Sequence, residues 1–472
     1  MQLLPSPICC IAVDGEEPYT GEVPADAAAL GVQQRNQFLT DKAADRHGQE
    51  QRWRDLAEKA LGNEVQDGRA DPATRRWTIC QRIDDPDVER ARAQISEDLA
   101  RGATGLALIF DGASNAFGYG LPGTAQALER VLDGVPLDKV YLRLDVHPAS
   151  RAMADWLVTL LSGGKVDPSR LNLSFGIDPA ATFAGTGRLR MTIEALQASM
   201  PQSLAHFFAM DVPGILLEAD GRVLNNAGAS EAQELGAMLA SAAAHLRLFQ
   251  EARQALVYAA PHIGFALGVD DDARLSAAKI KALRRLWQRV QEGFAIPPAR
   301  ASVHAETSMR FMDRHDLAGN VARNAAACLG AAAGGADSIA VLPHTIAHGL
   351  PEGDARRVAR NIQFLVAQED TTIGDVDALI DSLCEQAWAE FQRIEQEGGI
   401  LPSLKAGHIQ ARVRASAEER RKSLAANRAS SAASGGTVPT LPAERHPAPT
   451  DGVVFCEALL PLRLDDPVGV GQ

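Results

Sequence analysis

The sequence has no apolar run approaching the roughly 18–20 residues that a membrane-spanning helix requires. No basic residue precedes the short apolar stretch at the N-terminus, so a secretory signal is not expected. The six cysteines are scattered, apart from the adjacent Cys9 and Cys10, and no C-x-x-C pair occurs. This pattern argues against a zinc knuckle and against a disulfide framework. Together these features predict a reduced, cytoplasmic protein.

Positive charge is also scarce: 47 Lys and Arg residues face 60 Asp and Glu residues, which gives a net charge of −13. A chain this acidic has little attraction for nucleic acid or for an anionic membrane, so neither is expected as a partner. A local basic patch could still bind a phosphorylated ligand. The 472 residues are 46% hydrophobic and 23% charged, which is typical of a globular protein with an ample core.

Short β-rich apolar runs alternate with segments of helical periodicity. The runs predicted as strands, the last of them weak, are 106–111, 140–145, 171–176, 214–220, 263–269, 302–306, 338–342 and 372–375. Such alternation requires parallel pairing, because each helix returns the chain to the same end of the sheet. The pattern predicts an α/β protein with a closed (β/α)₈ barrel of the TIM type. A doubly wound sheet is the alternative, although no G-x-G-x-x-G motif follows the first strand.

The barrel is expected to occupy residues 76–395, with segments of different composition on either side. Residues 1–75 are predicted as an N-terminal arm with one amphipathic helix, whose apolar face carries Trp53, Leu56, Ala57 and Leu61. This helix would either pack across the barrel or embrace another chain. On the C-terminal side we expect a charged helical tract (396–422), a flexible linker rich in small residues and proline (423–452) and a short segment (453–472).

Several predicted strands end in Asp or His. The carboxyl ends of barrel strands form the mouth where ligands bind, so polar groups there indicate a site. These residues are Asp111, Asp145, Asp220, His304 and His344. The alternative for each aspartate is a helix cap or a turn former.

The densest group of polar residues is His304 with Glu306. Because they are two residues apart, both side chains point to the same face of an extended strand. An imidazole beside a carboxylate suits proton transfer or the orientation of a polar ligand. One alternative is a buried histidine satisfied by Glu306 and a backbone carbonyl. A stand-alone barrel with unrelated chemistry at this pair is a further hypothesis.

Two other patterns are weaker. His344 and His348 have the spacing of metal ligands on a helix, but 349–351 (GLP) would break any helix immediately. The basic run 356–361 (RRVARN) is interpreted as a solvated helix face, with a phosphate contact as the alternative.

Seven short stretches follow one another in a specific order. They are 77–81 (WTICQ), 227–235 (AGASEAQEL), 279–287 (KIKALRRLW), 304–308 (HAETS), 332–338 (AAGGADS), 341–343 (VLP) and 355–361 (ARRVARN). As an ordered set they resemble the methylmalonyl-CoA mutase family, and particularly its small (β) subunit. The resemblance implies a (β/α)₈ barrel that threads acyl-CoA along its axis. In catalytic members it also implies a flavodoxin-like domain that binds adenosylcobalamin.

This chain differs from the catalytic members of the family at positions that contact the substrate in those members. Arg82 stands where catalytic members carry a Tyr beside the substrate carboxylate, and Val223 stands where a His bonds the thioester carbonyl. Glu306 replaces the Gln of their His-x-Gln-Thr-Ser, although His304 is kept. Their Asp-Pro-x-Gly-Gly-Ser is reduced to 377–382 (DALIDS). No D-x-H-x-x-G follows residue 395, and the Asp145-Val146-His147 triplet lacks its glycine, so a complete cobalamin-binding domain is not expected.

The resemblance therefore implies a small, non-catalytic subunit of a heterodimeric adenosylcobalamin-dependent methylmalonyl-CoA mutase. Valine cannot donate a hydrogen bond to a thioester oxygen, so Arg82, Val223, His304 and Glu306 are interpreted as a vestigial site. No catalytic residue, cofactor or metal is assigned to this chain; adenosylcobalamin is expected in the catalytic large subunit, its partner. The alternative is a catalytic acyl-CoA mutase subunit that uses a separate cobalamin-binding polypeptide.

Overall fold

The computed structural model describes residues 51–62, 77–163, 167–210, 213–428 and 452–463. Most of the predicted N-terminal arm and residues 429–451 of the predicted linker lie outside these ranges. Among the described residues, no helix combines the length and the apolar character that a membrane crossing demands.

A closed barrel of parallel strands forms the centre of the molecule. Two further strands, β5 and β10, form a separate small sheet. In chain order the strands are β1 Thr78–Ile83, β2 Gly105–Leu108, β3 Tyr141–Leu144, β4 Asn172–Ile177, β5 Arg188–Leu189, β6 Ile215–Asp220, β7 Ile263–Val269, β8 Ser302–Thr307, β9 Ser338–Ala340 and β10 Val454–Phe455. The barrel order is β1-β2-β3-β4-β6-β7-β8-β9, with β9 returning to β1. The predicted (β/α)₈ barrel is thus confirmed, and a doubly wound sheet is excluded.

One strand prediction is wrong. Residues 372–375 are not a strand, and the eighth barrel strand is β1, which pairs with both β2 and β9. The run 372–375 carries one large apolar residue beside a glycine, which is too little to bury in a sheet. In β1, the polar Gln81 and Arg82 interrupt the apolar run and hide the strand from a hydrophobicity pattern.

Helices surround the barrel. They are α1 (51–61), α2 Val88–Ala100, α3 Ala125–Leu132, α4 Ser150–Gly163, α5 Pro179–Thr186, α6 Ile193–Ala209, α7 Arg222–Asn226, α8 Glu231–Glu251, α9 Leu256–Ala259, α10 Ala273–Gly293, α11 Leu317–Gly334, α12 Gly353–Gln368, α13 Asp377–Gln396, α14 Ile400–Lys405 and α15 His408–Arg428. Short 3₁₀ turns occur at Pro168–Arg170, Ala260–His262, Met309–Phe311 and Ile346–His348. Side-chain caps fix where several helices begin, as in the capping box of Ser230 and Gln233 at the start of α8.

The apolar core lies between the strands and the surrounding helices. Phe265 of β7 meets Trp287 of α10 edge-on, with ring centroids 5.1 Å apart, and both side chains are almost completely buried. Farther out, α13 packs over α8 so closely that a β-carbon at Gly236 would lie 2.7 Å from Glu390. This layered packing gives the barrel a rigid wall on which site residues can be positioned.

Helix α1 packs across the barrel's outer layer, one of the two arrangements predicted for it. Leu56, Ala57 and Ala60 are buried, but Leu61 is 42% exposed, so its predicted place on the apolar face is wrong. Arg52 ties the helix to the end of α12, where its guanidinium lies 2.9 Å from the carboxylate of Glu369.

On the C-terminal side, the charged tract forms α14 and α15. Helix α15 runs to Arg428, six residues into the segment predicted as a linker. Residues 452–463 then lie on the barrel mouth, where β10 pairs antiparallel with β5. We call residues 452–463 the C-terminal strap.

Candidate functional site

The barrel axis is filled by charged side chains. Because side chains alternate along a strand, the inward positions of β3, β6 and β8 carry Arg143, Glu218 and His304 with Glu306. Arg82 adds to them from β1, and Arg222 from the first turn of α7. All are at most 3% exposed.

Ion pairs link these side chains across the axis. Arg143 forms a two-pronged pair with Glu218, in which Nη2 lies 2.6 Å from Oε2. Arg222 reaches further: its Nη2 lies 2.6 Å from Asp220, its Nη1 lies 3.3 Å from Glu306, and it also pairs with Asp145. We call Arg82, Arg143, Arg222 and the carboxylates they contact the axial ion network.

Arg82 is held at the edge of this network. Its Nε donates to Asp84 at 2.6 Å, its Nη2 donates to the backbone oxygen of Asn115, and its Nη1 lies 3.8 Å from Glu306. The ring of Phe117 covers the guanidinium at 5.0 Å. The cation is buried, but its Nη1 has no hydrogen-bond partner among the described residues.

The pKa values of the network's carboxyl groups follow from burial and neighbouring charge. Burial raises the pKa of Asp145, but Arg222 and Arg143 outweigh this effect and hold the pKa at about 2. Burial also raises the pKa of Glu306, and Arg222 and Arg82 offset only part of the increase. The charges of the network thus stabilise one another.

His304 is a neutral side chain in this environment. Its Nδ1 lies 2.8 Å from the hydroxyl of Ser338, and its Nε2 has no hydrogen-bond partner among the described residues. Burial lowers the pKa of His304 well below 6.5, and the positive charges of Arg143 and Arg222 lower it further. The proposed alternative, in which Glu306 and a backbone carbonyl satisfy the imidazole, is therefore wrong.

The structure brings three of the four predicted site residues, Arg82, His304 and Glu306, to the barrel axis. Val223 lies apart from them, on α7, where it is 3% exposed. Its Cγ1 would lie 3.2 Å from a β-carbon at Gly185, so it packs against α5.

Sequence reasoning missed Arg143, Glu218 and Arg222, which form most of the network. A signal for two of them exists in the strands. Arg143 and Glu218 each precede by two residues an aspartate at the strand's end, so the charges recur with the period of one strand face. A parallel strand buried on both faces is normally continuously apolar, so this alternation marks a charged barrel interior.

Residues in and beside the stretches that carry the family resemblance contact one another. Lys279 of α10 lies 2.6 Å from Glu234 of α8, and both side chains are buried. Ser308 donates to Asn225 at 2.6 Å, and Arg310 pairs with Glu231 at 2.6 Å. These contacts hold the loop between α7 and α8 in place, which gives the stretches a structural role.

Other sequence patterns have structural explanations. Arg356 and Arg360 are buried and share Asp98 of α2, so the prediction of a solvated basic face is wrong. His348 lies in a 3₁₀ turn and bonds the backbone oxygen of Arg314 at 2.8 Å. No group of three or more potential metal ligands occurs among the residues that the structure describes.

The C-terminal strap covers part of the barrel mouth through backbone hydrogen bonds. The amides of Cys456, Leu459 and Leu462 donate to the carbonyls of Gly187, Ala184 and Asn226, at 2.8 to 2.9 Å. Beneath the strap lies a cleft of about 410 Å³, bordered by the loops after β3 and β4. We call it the mouth cleft.

Comparison with known proteins identifies the family. The family described as Methylmalonyl-CoA mutase matches residues 70–432. The small subunit of methylmalonyl-CoA mutase from Streptomyces virginiae is 35% identical over 386 residues, covering 79% of this chain and 61% of that protein. The small subunit from Propionibacterium freudenreichii subsp. shermanii is 32% identical, covering 74% of this chain and 54% of that protein.

The large subunit from Streptomyces virginiae is less similar, at 24% identity, with 71% of this chain and 50% of that protein covered. The chain thus spans only about half to three fifths of the length of these relatives. The match extends across the whole barrel and into α15. On this evidence the chain belongs to the methylmalonyl-CoA mutase family.

Proposed function

We propose that this chain is the small, non-catalytic subunit of a heterodimeric methylmalonyl-CoA mutase, in which the partner interconverts methylmalonyl-CoA and succinyl-CoA. The relatives named small subunit are 32 and 35% identical to this chain, against 24% for the large subunit. This difference supports the subunit assignment.

The observation that carries the non-catalytic role is the axial ion network. The resemblance implies that acyl-CoA runs along the barrel axis in catalytic members. Here Arg143 pairs with Glu218, and Arg222 with Asp145, across that axis. To admit a substrate, the chain would have to separate ion pairs that are shielded from water. Separating one partner from a buried pair costs about 3–5 kcal/mol, so a substrate would bind very weakly there.

The four vestigial positions support the same proposal. Arg82 is engaged by Asp84, Asn115 and Phe117. Val223 offers no hydrogen bond and packs against α5. His304 is buried and neutral, and its one hydrogen bond among the described residues goes to Ser338. With valine at position 223, the site lacks one of the hydrogen bonds that would stabilise charge on an acyl oxygen.

The described residues do not fit adenosylcobalamin. The C-terminal strap lies over the barrel mouth, and the cleft of about 410 Å³ beneath it is far smaller than a corrin ring with its nucleotide requires. His147, which lines that cleft, has both ring nitrogens engaged by the backbone of Asp111 and Ala149. We therefore propose that the large subunit holds the cofactor, and no step of the reaction is assigned to this chain.

The partner in this proposal is the catalytic large subunit. An obligate heterodimer needs an interface of more than about 2,000 Å², and the predicted N-terminal arm is the segment proposed to contribute to it. A cytoplasmic location is consistent with the described cysteines, because Cys80, Cys328, Cys384 and Cys456 are all free thiols.

The experiment is co-expression with the large subunit of the same organism, purification through a tag on this chain, and determination of the complex's mass. We expect a one-to-one complex that isomerises methylmalonyl-CoA with adenosylcobalamin, whereas this chain alone neither binds the cofactor nor turns over substrate. In the complex, Glu306→Gln, which restores the family's residue, should leave kcat within about twofold because the axis takes no part in turnover.

Turnover by this chain alone would overturn the proposal. Turnover by this chain with a small cobalamin-binding polypeptide, without the large subunit, would instead support the alternative of a catalytic subunit that borrows its cofactor domain.

A further inference from the structure

Several buried polar atoms at the barrel axis have no hydrogen-bond partner among the described residues. They are Nη1 of Arg82, Nε of Arg143, Oγ of Ser174, Nε2 of His304 and Oε2 of Glu306. Each of these residues is at most 3% exposed. Buried polar groups in folded proteins are almost always hydrogen-bonded, and many of them bond to an internal water molecule.

These atoms belong to side chains that face a common interior. Arg143 of β3 and Ser174 of β4 are register partners, so their side chains point to the same side of the sheet. His304 and Glu306 are two residues apart on β8, which also gives them one direction. The polar atoms are therefore gathered at the axis and are not scattered through the apolar core.

The most informative pair is Arg82 and Glu306. Nη1 of Arg82 is a donor and Oε2 of Glu306 is an acceptor, but 3.8 Å separates them. A direct hydrogen bond between nitrogen and oxygen needs about 2.7–3.2 Å. Each group is held on its other side, because Arg82 donates to Asp84 at 2.6 Å and Glu306 lies 3.3 Å from Arg222. A donor and an acceptor held apart in this way can be joined by one bridging water molecule.

The side chains beside this pair are small. Ala107 is the register partner of Arg82 on β2, and Ala340 is the register partner of Glu306 on β9. On the other side of Ala340 lies Cys80 of β1. The inward positions of a barrel of this type are usually occupied by bulky branched residues. Alanine at two of them leaves room for a molecule of the size of water.

The chemistry of the pair defines what can bind there. Arg82 can only donate hydrogen bonds, and the free oxygen of Glu306 is an acceptor. An inorganic anion would be repelled by Glu306, and a metal cation would be repelled by Arg82. A small neutral molecule that both donates and accepts fits the two groups, and water is the smallest such molecule.

We propose that the barrel axis holds an internal water molecule that bridges Nη1 of Arg82 and Oε2 of Glu306 and is isolated from the solvent. The free atoms of Arg143, Ser174 and His304 face the same interior and can bind further water. The bridging molecule completes the hydrogen bonds of both groups, which stabilises their charges inside the barrel. The inference does not depend on the subunit assignment.

The first test is a crystal structure of the purified full-length chain at a resolution that shows ordered water. We expect electron density for a water molecule within about 3.2 Å of both Nη1 of Arg82 and Oε2 of Glu306. Direct contact between these two atoms, with no density between them, would overturn the proposal.

A second test counts internal water in solution. Oxygen-17 magnetic relaxation dispersion detects water molecules that stay inside a protein for longer than the protein takes to rotate. The double variant Arg82→Met/Glu306→Met replaces both groups by apolar side chains, so the count of long-lived water molecules should fall. The matched control Arg285→Met/Asp381→Met removes an exposed ion pair between α10 and α13, and it should leave the count unchanged.

Circular dichroism shows whether each variant is folded. Equal counts of long-lived water in the wild type and in the folded axial variant would overturn the proposal. If the axial variant does not fold, the crystal structure of the wild type decides. Neither test bears on the subunit assignment, which co-purification tests separately.

Discussion

The axial ion network and the mouth cleft both use arginine, but they treat its charge in opposite ways. Arg222 is 1% exposed and faces Asp145, Asp220 and Glu306. Arg151 is half-buried and is held by the hydroxyls of two serines. In the first region carboxylates neutralise the cation. In the second, the acceptors that the described residues offer to the cation are neutral.

This difference separates a cation that carboxylates neutralise from a cation that neutral groups hold. A buried arginine surrounded by carboxylates cannot release them to a ligand without leaving charges stranded away from water. An arginine at the rim of a cleft gives up only neutral contacts and some hydration when an anion arrives. The charges of the barrel axis thus serve the fold.

The largest effect is expected from Arg222→Met in the axial ion network. The substitution keeps most of the side chain's volume but leaves Asp145, Asp220 and Glu306 without their shared cation. Removing one partner from a buried ion pair costs about 3–5 kcal/mol. Urea denaturation followed by circular dichroism measures the loss in the free energy of unfolding.

The matched control is Arg285→Met, which removes a surface arginine that also pairs with a carboxylate. Its side chain is 54% exposed and pairs with the exposed Asp381. The change should be below about 1 kcal/mol. Equal effects of the two substitutions would show that the axial network does not stabilise the barrel.

A smaller and more local effect is expected where the strap covers the mouth. Leu459 is 6% exposed, and its amide donates to Ala184 at 2.8 Å. Truncation to Ala should cost about 2–4 kcal/mol of docking free energy. Hydrogen exchange at the amides of Cys456 and Leu462 should therefore accelerate strongly, while amides in β7 keep their protection.

Leu460→Ala is the control for the strap, because Leu460 is 56% exposed and its truncation removes little buried surface. If both variants exchange at the wild-type rate, the strap is not held by Leu459.

The stability contributions of the two regions should also depend on different ranges of pH. His147 at the mouth cleft and Asp145 in the axial ion network test this difference. Burial lowers the pKa of His147 to about 4 from 6.5, so its contribution to stability is complete above pH 6.5 and is lost as the pH falls towards 4. Asp145, with a pKa of about 2, loses its contribution only as the pH falls below 3.8.

His147→Asn should remove the first of these responses. Between pH 7.5 and 5 the wild type should lose about 2 kcal/mol through His147 that the variant does not lose. The asparagine oxygen can accept from the amide of Ala149, which keeps the local turn. The measurement is the free energy of unfolding as a function of pH; parallel curves for the two proteins would contradict the assignment.

How well the sequence predicts a region depends on whether that region has a recognisable pattern of apolar and polar residues. The alternation of apolar runs and helices is enough to predict the barrel, and seven of its strands lie where the runs occur. Strand β1 is not predicted because each of its two faces carries a polar residue. Gln81 faces the outer helices and Arg82 faces the axis, so neither face shows a continuous apolar pattern in the sequence.

The site was only partly predictable. His304 and Glu306 stand out because they share one strand, and their inward direction follows from spacing alone. The network around them joins residues from five different elements, and its pairs are as far apart in sequence as Arg82 and Glu306. Nor could composition show that residues 452–463 pair with β5, because two-residue strands acquire their register from tertiary contacts.

The smallest effect on stability is expected from Arg151→Met, the same substitution as in the axis but at the mouth cleft. The variant loses hydrogen bonds to Ser199 and Ser203, both of which keep access to water, so the cost should be about 1 kcal/mol or less. Denaturation in urea should therefore separate it clearly from Arg222→Met. If the two variants were equally unstable, the charge of Arg151 would be a structural requirement like that of Arg222. In that case, the contrast between a neutralised axis and an unneutralised mouth would not hold.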